Sequence, residues 1–491
     1  MSKPNKLEDY LALHAQEIPG KTAVVCGQEE CSYAELYQRV CRCAEELALS
    51  LSTPDSSLHS RAPLAYPSPF TPPSSIPVIP FRSSQSIDFL VEYMAIHKAG
   101  AAAAPLEHDI PEERFREIAR QLAVTPVPEG SADVLFTTGT TGRSKGVIMS
   151  HLTIISDAEN LIDGQGFTPD IVFVINGPLN HIGSLSKIWP VIIQGATLYI
   201  TSGMKNVDEF FTALDYIPPQ SRLSTGEGQG VKFATFLVPA SIRILLQLSR
   251  DRLKSYASKI DFLETGAAPM MQRDMEELCR VLPNTRLYNT YASTETGIIT
   301  TYNYNSGKCQ AGCLGRPMKH ARLFITPEGF IACQGPTLMT GYIGDPELTA
   351  TVLRDYPEPS NHQHPTPNTQ HLTLITADRG MIDEEGMLDL LGREDDVINV
   401  GGFKVAPTEV EDVAMSLPEV ADCVCIAAEH PIAGNTLKLL VVMTEGSVFD
   451  KRIIARYLKS HLERHKVPLL YEQVEKINRT YNGKLDRKSY R

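Results

Sequence analysis

The chain has 491 residues, too many for one ordinary hydrophobic core, so we expect a large N-terminal part and a smaller C-terminal domain. Its formal net charge of −12 argues against a general nucleic-acid binder, because such a protein presents a basic face. Ten cysteines without a CxxC pair argue against a zinc knuckle. With no apolar signal segment and no apolar run of transmembrane length, we expect a soluble, reduced, cytoplasmic protein.

The first hundred residues contain three helical patterns and one stretch without periodicity. Residues 51–80 hold eight prolines and many serines, so we predict a loop or a loosely held segment there. The second helical pattern begins with Ser32-Tyr33-Ala34-Glu35, which is a capping-box pattern. The predicted elements are helices over 7–16, 32–50 and 84–98 and a buried strand of small residues over 101–106.

From residue 131 to about 345, short apolar strands alternate with helical stretches, which indicates α/β layering. A polar insert at 355–371 could bind a metal through His362 and His364, but a solvated loop is the favoured interpretation. The last hundred residues are predicted to form a small α+β domain. The predicted elements are strands over 171–175, 196–200, 233–237, 421–427 and 437–443 and helices over 240–248, 271–281, 408–416 and 450–464.

The most informative stretch runs from Ala132 to Gly146, where an apolar strand enters a loop of hydroxyls, three glycines and one lysine. Such a loop can surround anionic oxygens with backbone N–H groups, hydroxyl donors and the charge of Lys145. It is not a Walker A loop, because only two residues separate Gly139 from Gly142 and Lys145 precedes a glycine. The alternative is a flexible hairpin whose Thr and Ser side chains satisfy local backbone groups.

Further segments follow in a recognisable order. They are Gly177-Pro178-Leu179-Asn180-His181-Ile182-Gly183, Thr265-Gly266-Ala267-Ala268-Pro269, and residues 288–296, 341–347, 376–378, 392–405 and 478–487. Together with the loop, they resemble the adenylate-forming superfamily of acyl- and aryl-CoA ligases, adenylation domains and luciferases. The resemblance spans nearly the whole chain. It implies an N-terminal domain over 1–392 that binds acid and ATP, and a mobile C-terminal domain over 393–491 that carries a catalytic lysine.

The resemblance also implies a nucleotide site. The loop would hold the phosphates of ATP, small residues after the strand near 263 would lie against adenine, and Asp378 would accept hydrogen bonds from the ribose hydroxyls. Arg393 would reach the ribose or a phosphate. The implied nucleotide-binding residues are Thr137, Thr138, Gly139, Thr140, Thr141, Gly142, Lys145, Gly266, Ala267, Ala268, Asn289, Tyr291, Asp378 and Arg393.

For catalysis, the resemblance implies that Thr294 donates to the α-phosphate, Glu295 helps to hold Mg²⁺, and Lys484 is the catalytic lysine. His181 would lie in the acyl pocket, although a lone histidine is more often structural. Asp395 occupies the hinge position, and Gly401, Gly402 and Phe403 would line the tunnel for the thiol acceptor, coenzyme A. Three substitutions depart from the family pattern: Ala292 and Ala377 replace glycines, and Asn478 replaces a proline.

The implied activity is ATP-dependent ligation of a carboxylic acid to CoA through an acyl-AMP intermediate, as in fatty acid metabolism. No acidic residue lies near 178–184 to meet a substrate ammonium, which favours an acid with an uncharged tail. One alternative is a free-standing enzyme that loads an acid onto a carrier protein, although no carrier-like segment follows Lys484. The other is a nucleotide-binding or scaffold protein without catalysis, against which the retained lysines argue. The sequence predicts no oligomeric state.

Overall fold

The computed structural model describes residues 3–52, 75–137, 145–219, 230–356, 372–400, 403–430, 434–479 and 485–490. The N-terminal part begins with two helices that flank a short hairpin and continues into alternating strands and helices. Its elements are α1 (Leu7–Glu17), β1 (Thr22–Cys26), β2 (Glu29–Ser32), α2 (Tyr33–Ser52), β3 (Ser75–Ile76), β4 (Val78–Arg82), α3 (Ile87–Lys98), β5 (Ala102–Leu106), α4 (Glu112–Ala123), β6 (Val127–Pro128), β7 (Ser131–Thr137), β8 (Lys145–Ser150) and α5 (His151–Gln165).

The middle of the chain completes the large domain. Its elements are β9 (Ile171–Ile175), α6 (Ile182–Gln194), β10 (Thr197–Ile200), α7 (Val207–Ala213), β11 (Lys232–Phe236), α8 (Pro239–Leu248), α9 (Arg250–Ser255), β12 (Ile260–Gly266), α10 (Gln272–Val281), β13 (Arg286–Ser293), β14 (Gly297–Asn303), β15 (Cys313–Pro317), β16 (Arg322–Ile325), β17 (Phe330–Gln334), β18 (Gly341–Tyr342), α11 (Pro346–Val352), β19 (Leu353–Asp355), β20 (Leu372–Ile382) and β21 (Leu388–Arg393).

The small domain follows a 3₁₀ turn at Glu394–Asp396. It contains β22 (Ile398–Val400), β23 (Phe403–Val405), α12 (Pro407–Met415), β24 (Val420–His430), β25 (Gly434–Met443), α13 (Lys451–His461) and β26 (Leu470–Gln473), with 3₁₀ turns at Arg464–Lys466 and Arg487–Tyr490. β25 pairs antiparallel with β24 and parallel with β26, and both helices pack on this sheet around buried Val410, Leu439 and Leu458.

The largest sheet has the order β16-β17-β20-β21-β15-β14-β13-β12-β11-β9-β10-β1-β2. Strands β1, β10, β9, β11, β12 and β13 form a parallel block within it, and β2 and β14 pair antiparallel at the two ends of that block. Because the carboxyl ends of parallel strands meet at one edge, the segments that follow β9, β11, β12 and β13 share that edge. Three of the family-like segments lie there: 177–183, 265–269 and 288–296.

The parallel strands are covered on both faces, which is why β9 is apolar and buried along its whole length. One face packs against α5 and α6 through Phe173, Phe262 and Trp189. The opposite face packs against α8 and α10 around Phe233 and Leu263. A second sheet, with the order β18-β8-β7-β5-β4, carries the hairpin of β7 and β8 that flanks the glycine-rich loop. These layers hold the strand ends at fixed positions.

The predicted fold class is confirmed: the chain has a large α/β domain of layered sheets and helices followed by a small α+β domain. The predicted helices and strands are present, with ends shifted by a few residues. The capping box forms as expected, since the N–H of Ser32 donates to Glu35 Oε2 at 2.8 Å and the N–H of Glu35 donates to Ser32 Oγ at 3.3 Å.

The prediction of a loop over 51–80 is wrong at both ends of that range. Residues 51–52 belong to α2, and 75–76 and 78–82 form β3 and β4. Pro80 lies within β4, and a proline there suggested a break. The strand tolerates it because β4 is the edge strand of its sheet, where a missing N–H on the outer side costs no ladder bond. Residues 53–74 and 357–371, including His362 and His364, lie outside the described residues.

Candidate active site

Three side chains from distant parts of the chain meet beside the glycine-rich loop. Lys145 begins β8, and its Nζ lies 5.3 Å from the centroid of the Tyr342 ring. The Tyr342 hydroxyl donates to Glu295 Oε1 at 3.0 Å. Burial and the neighbouring Glu295 raise the pKa of Tyr342 well above its usual value, so the phenol remains a donor. Thr137 pairs with Lys145 at the start of the loop, and residues 138–144 lie outside the described residues.

A tight turn after β13 presents Thr294 and Glu295. The N–H of Thr296 donates to Ser293 Oγ and the N–H of Ser293 donates to Thr296 Oγ1, both at 3.0 Å. The backbone N–H of Met339 donates to the carbonyl of Glu295 at 2.9 Å. These bonds fix the backbone while both side chains remain partly exposed.

Asp157 stabilises the same turn from α5, and its role was not predicted from the sequence. It is fully buried on α5, and its Oδ1 accepts from the N–H of Ile298 at 2.9 Å. A Cβ at Gly297 would lie 2.5 Å from the same oxygen, so the carboxylate packs directly under a glycine with φ of +68°. The available signal was one acidic residue within an apolar stretch of helix.

A second network joins β13 to the end of the large domain. Tyr291 OH donates to Asp378 Oδ2 at 2.5 Å, and Arg393 Nε lies 3.3 Å from Asp378 Oδ1. The Asp378 side chain is 17% exposed, whereas that of Arg393 is 49% exposed. A carboxylate has about four lone-pair positions. Asp378 therefore keeps acceptor capacity toward solvent while its orientation is fixed.

At the end of β12, small residues leave the backbone rather than long side chains at the edge of the sheet. A Cβ at Gly266 would lie 2.7 Å from the carbonyl oxygen of Thr290, so only glycine fits there. Ala267 is exposed and adopts a φ of +66°, a conformation that residues other than glycine seldom take. Ala268 is partly exposed beside it. Asn289 points elsewhere: it is buried and donates to the carbonyl of Cys313 at 3.2 Å.

His181 lies at the N-cap of α6, partly buried, at the same sheet edge. The next two residues begin the helix, and a Cβ at Gly183 would lie 3.1 Å from the Phe236 ring. The Phe236 ring also lies 3.7 Å from the corresponding position of Gly266. Phe236 thus forms an aromatic wall between the His181 segment and the end of β12.

A buried ion pair lies behind that wall and was also missed from the sequence. Lys187 Nζ is 2.7 Å from Glu264 Oε1, and the two side chains are 2% and 1% exposed. Lys187 Nζ lies 5.3 Å from the centroid of the Phe236 ring. Because the two charges are paired with each other, the Phe236 wall presents an aromatic surface to the sheet edge with no uncompensated charge behind it. The signal was Lys187, the single charged residue of apolar α6, and Glu264 directly after Phe262 and Leu263 in β12.

Asp395, the predicted hinge residue, lies at the centre of the 3₁₀ turn at Glu394–Asp396. The hairpin of β22 and β23 follows. Its first residue after the turn, Phe403, is 57% exposed and stacks on His465 at 4.5 Å between ring centroids. Gly401, Gly402 and Lys484 lie outside the described residues. An isolated bridge between Arg479 and Leu485 flanks the segment that contains Lys484.

The small domain contacts the large one mainly through polar groups. Arg243 on α8 places Nε 2.8 Å from Asp274 and Nη1 3.4 Å from Asp422 on β24. Asp422 also accepts from Arg479 at 2.7 Å. Met271 packs against the small-domain core. Asp422 therefore connects α8 to the segment that leads to Lys484.

Comparison with known proteins identifies the family. Residues 119–343 match the AMP-binding enzyme family, and residues 409–484 match the AMP-binding enzyme C-terminal domain. The two matches together cover more than half of the chain. The chain belongs to the AMP-binding enzymes. The resemblance to the adenylate-forming superfamily is thereby confirmed, and the chain is an enzyme of that class rather than a module of another fold.

Relatives of this AMP-binding enzyme include both CoA ligases and peptide synthetases. Indoleacetate–CoA ligase from Aromatoleum aromaticum is 26% identical over 530 residues, which cover 98% of this chain and 96% of the relative. Tyrocidine synthase 2 from Brevibacillus parabrevis is 24% identical over 97% of this chain, which spans 13% of that protein. The relatives therefore include proteins named as CoA ligases and proteins named as peptide-antibiotic synthases.

Solved structures confirm the two-domain architecture. ATP-bound MatB from Rhodopseudomonas palustris superposes with a TM-score of 0.80 and 23% identity over 99% of both chains. O-succinylbenzoate coenzyme A synthetase from Bacillus subtilis, in complex with AMP, has a TM-score of 0.74 and 20% identity over 99% of this chain and 98% of its own. Across the described ranges, no helix of this AMP-binding enzyme has the length and apolar character needed to cross a membrane.

Proposed function

We propose that this enzyme is an ATP-dependent carboxylic acid–CoA ligase. In the first step, the substrate carboxylate attacks the α-phosphorus of ATP, a P–O bond forms, and pyrophosphate leaves. In the second step, the CoA thiol attacks the acyl carbonyl, a C–S bond forms, the thiol proton is lost, and AMP leaves. The observation that carries this proposal is that β13 and its turn bring together the Lys145–Tyr342–Glu295 and Tyr291–Asp378–Arg393 networks.

For adenylation, the chain must stabilise negative charge on a crowded phosphorus, and preorganised donors and cations do this best. We assign the β- and γ-phosphates to Lys145 and the loop over 137–142. Thr294 donates to the α-phosphate from its fixed turn, and Lys484 supplies a positive charge. Glu295 offers the hard oxygen that Mg²⁺ prefers, and the ion would neutralise phosphate charge. Tyr342 orients Glu295 for this role through its 3.0 Å hydrogen bond.

The nucleoside would lie along the ends of β12 and β20. Gly266, Ala267 and Ala268 present small residues against which a flat adenine can lie. Asp378 accepts from the ribose hydroxyls, and Arg393 contacts the ribose or a phosphate. Asn289 is also assigned to the nucleotide, and the carbonyl of Cys313 occupies only one of the two N–H donors on its Nδ2.

The acid would lie between the His181 segment and Phe236. That wall is aromatic, and the charges behind it are paired, so an uncharged aryl or short-to-medium acyl tail suits it. A substrate α-ammonium would need a carboxylate there, yet Glu264 is committed to Lys187 at 2.7 Å. Free amino acids are therefore poor substrates in this proposal.

CoA is the proposed acceptor, with Gly401, Gly402 and Phe403 at the thiol tunnel. The named CoA ligases among the relatives and the exposed Phe403 ring support this assignment. The peptide synthetase relatives support the alternative, in which the acyl group is loaded onto a carrier protein. We place the reaction in a reducing cytoplasmic setting, which suits ten cysteines that form no disulfide among the described residues.

Between the two steps, the small domain would rotate about Asp395, which removes Lys484 from the site and brings the Phe403 face to it. The boundary between residues 392 and 393 follows from this proposal. The 3₁₀ turn and the polar contacts of Asp422 support a rotation of the small domain, because both can rearrange without opening an apolar core.

A two-stage assay tests the proposal. Acid-dependent exchange of labelled pyrophosphate into ATP is measured with aryl acids, short and medium fatty acids and amino acids. The best acid is then offered CoA or a pantetheine-loaded carrier protein. We expect exchange with an uncharged-tail acid and saturable, CoA-dependent AMP release. Preference for a free amino acid would overturn the acid assignment, and efficient acylation of the carrier without reaction of CoA would establish the alternative.

A further inference from the structure

Three ligating side chains from separate elements converge beneath the hairpin that flanks the glycine-rich loop. They are Glu8 on α1, His97 on α3 and His151 at the start of α5. One potential ligand atom from each lies within 4.8 Å of those of the other two. Two imidazoles and a carboxylate form a donor set that suits a first-row divalent metal such as zinc.

These side chains are buried and incompletely satisfied. Glu8 is 5% exposed and His97 is 1% exposed. Glu8 Oε2, His97 Nδ1 and His151 Nδ1 are all buried without a hydrogen-bond partner among the described residues. A buried polar group that lacks a hydrogen-bond partner destabilises the folded state. A cation shared between the three would satisfy all of them at once.

A carboxylate orients the imidazole of His97, as is usual for a histidine that binds a metal. Its Nε2 lies 2.9 Å from Asp133 Oδ1, and because a carboxylate can only accept, we assign the proton to Nε2. Tyr93 OH donates to Asp133 Oδ2 at 2.8 Å, and Trp189 Nε1 donates to Tyr93 OH at 3.1 Å. This arrangement leaves a lone pair on His97 Nδ1 and matches the carboxylate–histidine–metal pattern.

The charges also suit a dication. Glu8 and Asp133 together supply two carboxylates to balance a divalent charge.

Access exists from the protein surface. His151 lines a cavity of about 630 Å³ bordered by the first described residues, including Lys3 and Lys6, and by Ser150 and Thr340. A tetrahedral Zn²⁺ with bonds of about 2.0–2.1 Å holds its ligand atoms roughly 3.3 Å apart. The ligand atoms, which lie within 4.8 Å of one another, must approach to that spacing when the ion binds.

We propose that Glu8, His97 and His151 form a zinc-type divalent cation site, distinct from the magnesium position assigned to Glu295. The cation clamps α1, α3 and α5 together where β7 and β8 enter the domain. Asp133 lies on β7, and His151 directly follows β8, so the site fixes the base of the phosphate-loop hairpin. This proposal is independent of the acid and acceptor assignments, because it concerns metal binding alone.

The test is a metal titration of the full chain after chelator treatment. Zn²⁺ binding is followed by calorimetry, and Co²⁺ binding by its visible ligand-field absorption. We expect one equivalent of tight binding and a rise in melting temperature with Zn²⁺. Glu8→Gln should weaken affinity by on the order of 100-fold or more, whereas the matched control Asp9→Asn, exposed on the same helix, should bind as the unmodified chain does. Asp133→Asn should cost about 10–100-fold through His97.

Two further variants make the outcome unambiguous. His151→Gln alters a less buried ligand and should also abolish tight binding, so it replaces Glu8→Gln if that variant does not fold. Glu295→Gln should leave Zn²⁺ affinity unchanged, which separates this site from the magnesium position. Absence of stoichiometric binding by the unmodified chain, or equal affinity in Glu8→Gln, His151→Gln and Asp9→Asn, would overturn the proposal.

Discussion

The edge of the large domain and the junction with the small domain are held by different kinds of contact. At the edge, Asp378 is bonded on both oxygens, and Glu295 is held through its backbone and by Tyr342. Glu295 follows β13, which pairs parallel with buried β12, whereas Asp378 lies on β20 among antiparallel strands. Their positions are set by the core.

At the junction, the contacts are partly exposed and polar. Arg243 reaches Asp422 at 3.4 Å, and Arg273 Nη1 donates to the carbonyl of Val420 at 3.4 Å, both long for hydrogen bonds. In the proposed mechanism, the nucleotide therefore binds at a surface that the core holds in place, and the groups that exchange between the two reactions belong to a domain held by weaker contacts. Variants at the two regions should therefore fail in different half-reactions.

The largest effect is expected at Lys484. Lys484→Ala removes a charge from the adenylation transition state, and one such interaction of about 3–4 kcal/mol corresponds to roughly 10²–10³ in rate. Pyrophosphate exchange should fall by that factor, while thioester formation from supplied acyl-AMP should largely survive. Lys476→Ala, exposed in the same terminal segment, is the control. Equal losses in both half-reactions would show that Lys484 does not have this selective role.

Asp378 should give the next largest effect. Hydrogen bonds to charged groups contribute about 1.5–3 kcal/mol, so Asp378→Ala should lower kcat/KM for ATP by roughly 10–150-fold. Steady-state kinetics with ATP varied at saturating acid measure this. Asp355→Ala, exposed on neighbouring β19, should leave the value unchanged. An unaltered kcat/KM in Asp378→Ala would remove the ribose assignment.

Tyr342 should give a smaller effect, because it acts through Glu295. Tyr342→Phe keeps the ring beside Lys145 and deletes one hydrogen bond of about 0.5–1.5 kcal/mol, which corresponds to roughly 2–12-fold in adenylation rate. The loss should be accompanied by a weaker response to Mg²⁺ concentration. Tyr216→Phe, whose hydroxyl bonds Glu30 at the surface, is the control. A Tyr342→Phe enzyme with the normal magnesium response would argue against the positioning role.

The last effect is on stability rather than on activity, and it concerns the junction and its dependence on pH. Burial, with Glu411 adding to it, raises the pKa of Asp412 to about 7. From the large domain, Asp274, Arg243 and the backbone of Gln272 also face it. A raised carboxyl pKa means that the folded state favours the protonated form.

The stability contributed by protonated Asp412 is full below about pH 4 and is lost as the pH rises toward 7. Asp412→Asn should therefore gain melting temperature relative to the unmodified chain, more at pH 8 than at pH 5. At about 1.4 kcal/mol per pKa unit, the gain is roughly 1–4 kcal/mol. Exposed Glu419→Gln is the control. Equal gains at both pH values would contradict the titration of Asp412.

The sequence allowed the family, the fold class and the principal motifs to be predicted because they are carried by contiguous residues. The supporting contacts were not predictable in this way. Asp157 and Ile298, or Tyr342 and Glu295, are far apart in the chain and meet only through strand order. Pro80 led to the wrong prediction of a loop at β4 for the same reason, because whether a strand lies at an edge depends on the assembled sheet.

In the proposed mechanism, adenylation and thiol transfer use the same edge of the large domain, and the small domain is placed differently for each step. Asp395→Pro tests it most directly, because proline fixes φ near −65°, a value compatible with a 3₁₀ turn but not with free rotation. Acyl-AMP and thioester are measured in a single turnover, with Asp395→Ala as the control that leaves rotation possible. We predict that Asp395→Pro accumulates acyl-AMP without thioester, whereas Asp395→Ala forms both. Loss of adenylation with normal transfer from supplied acyl-AMP would contradict the account.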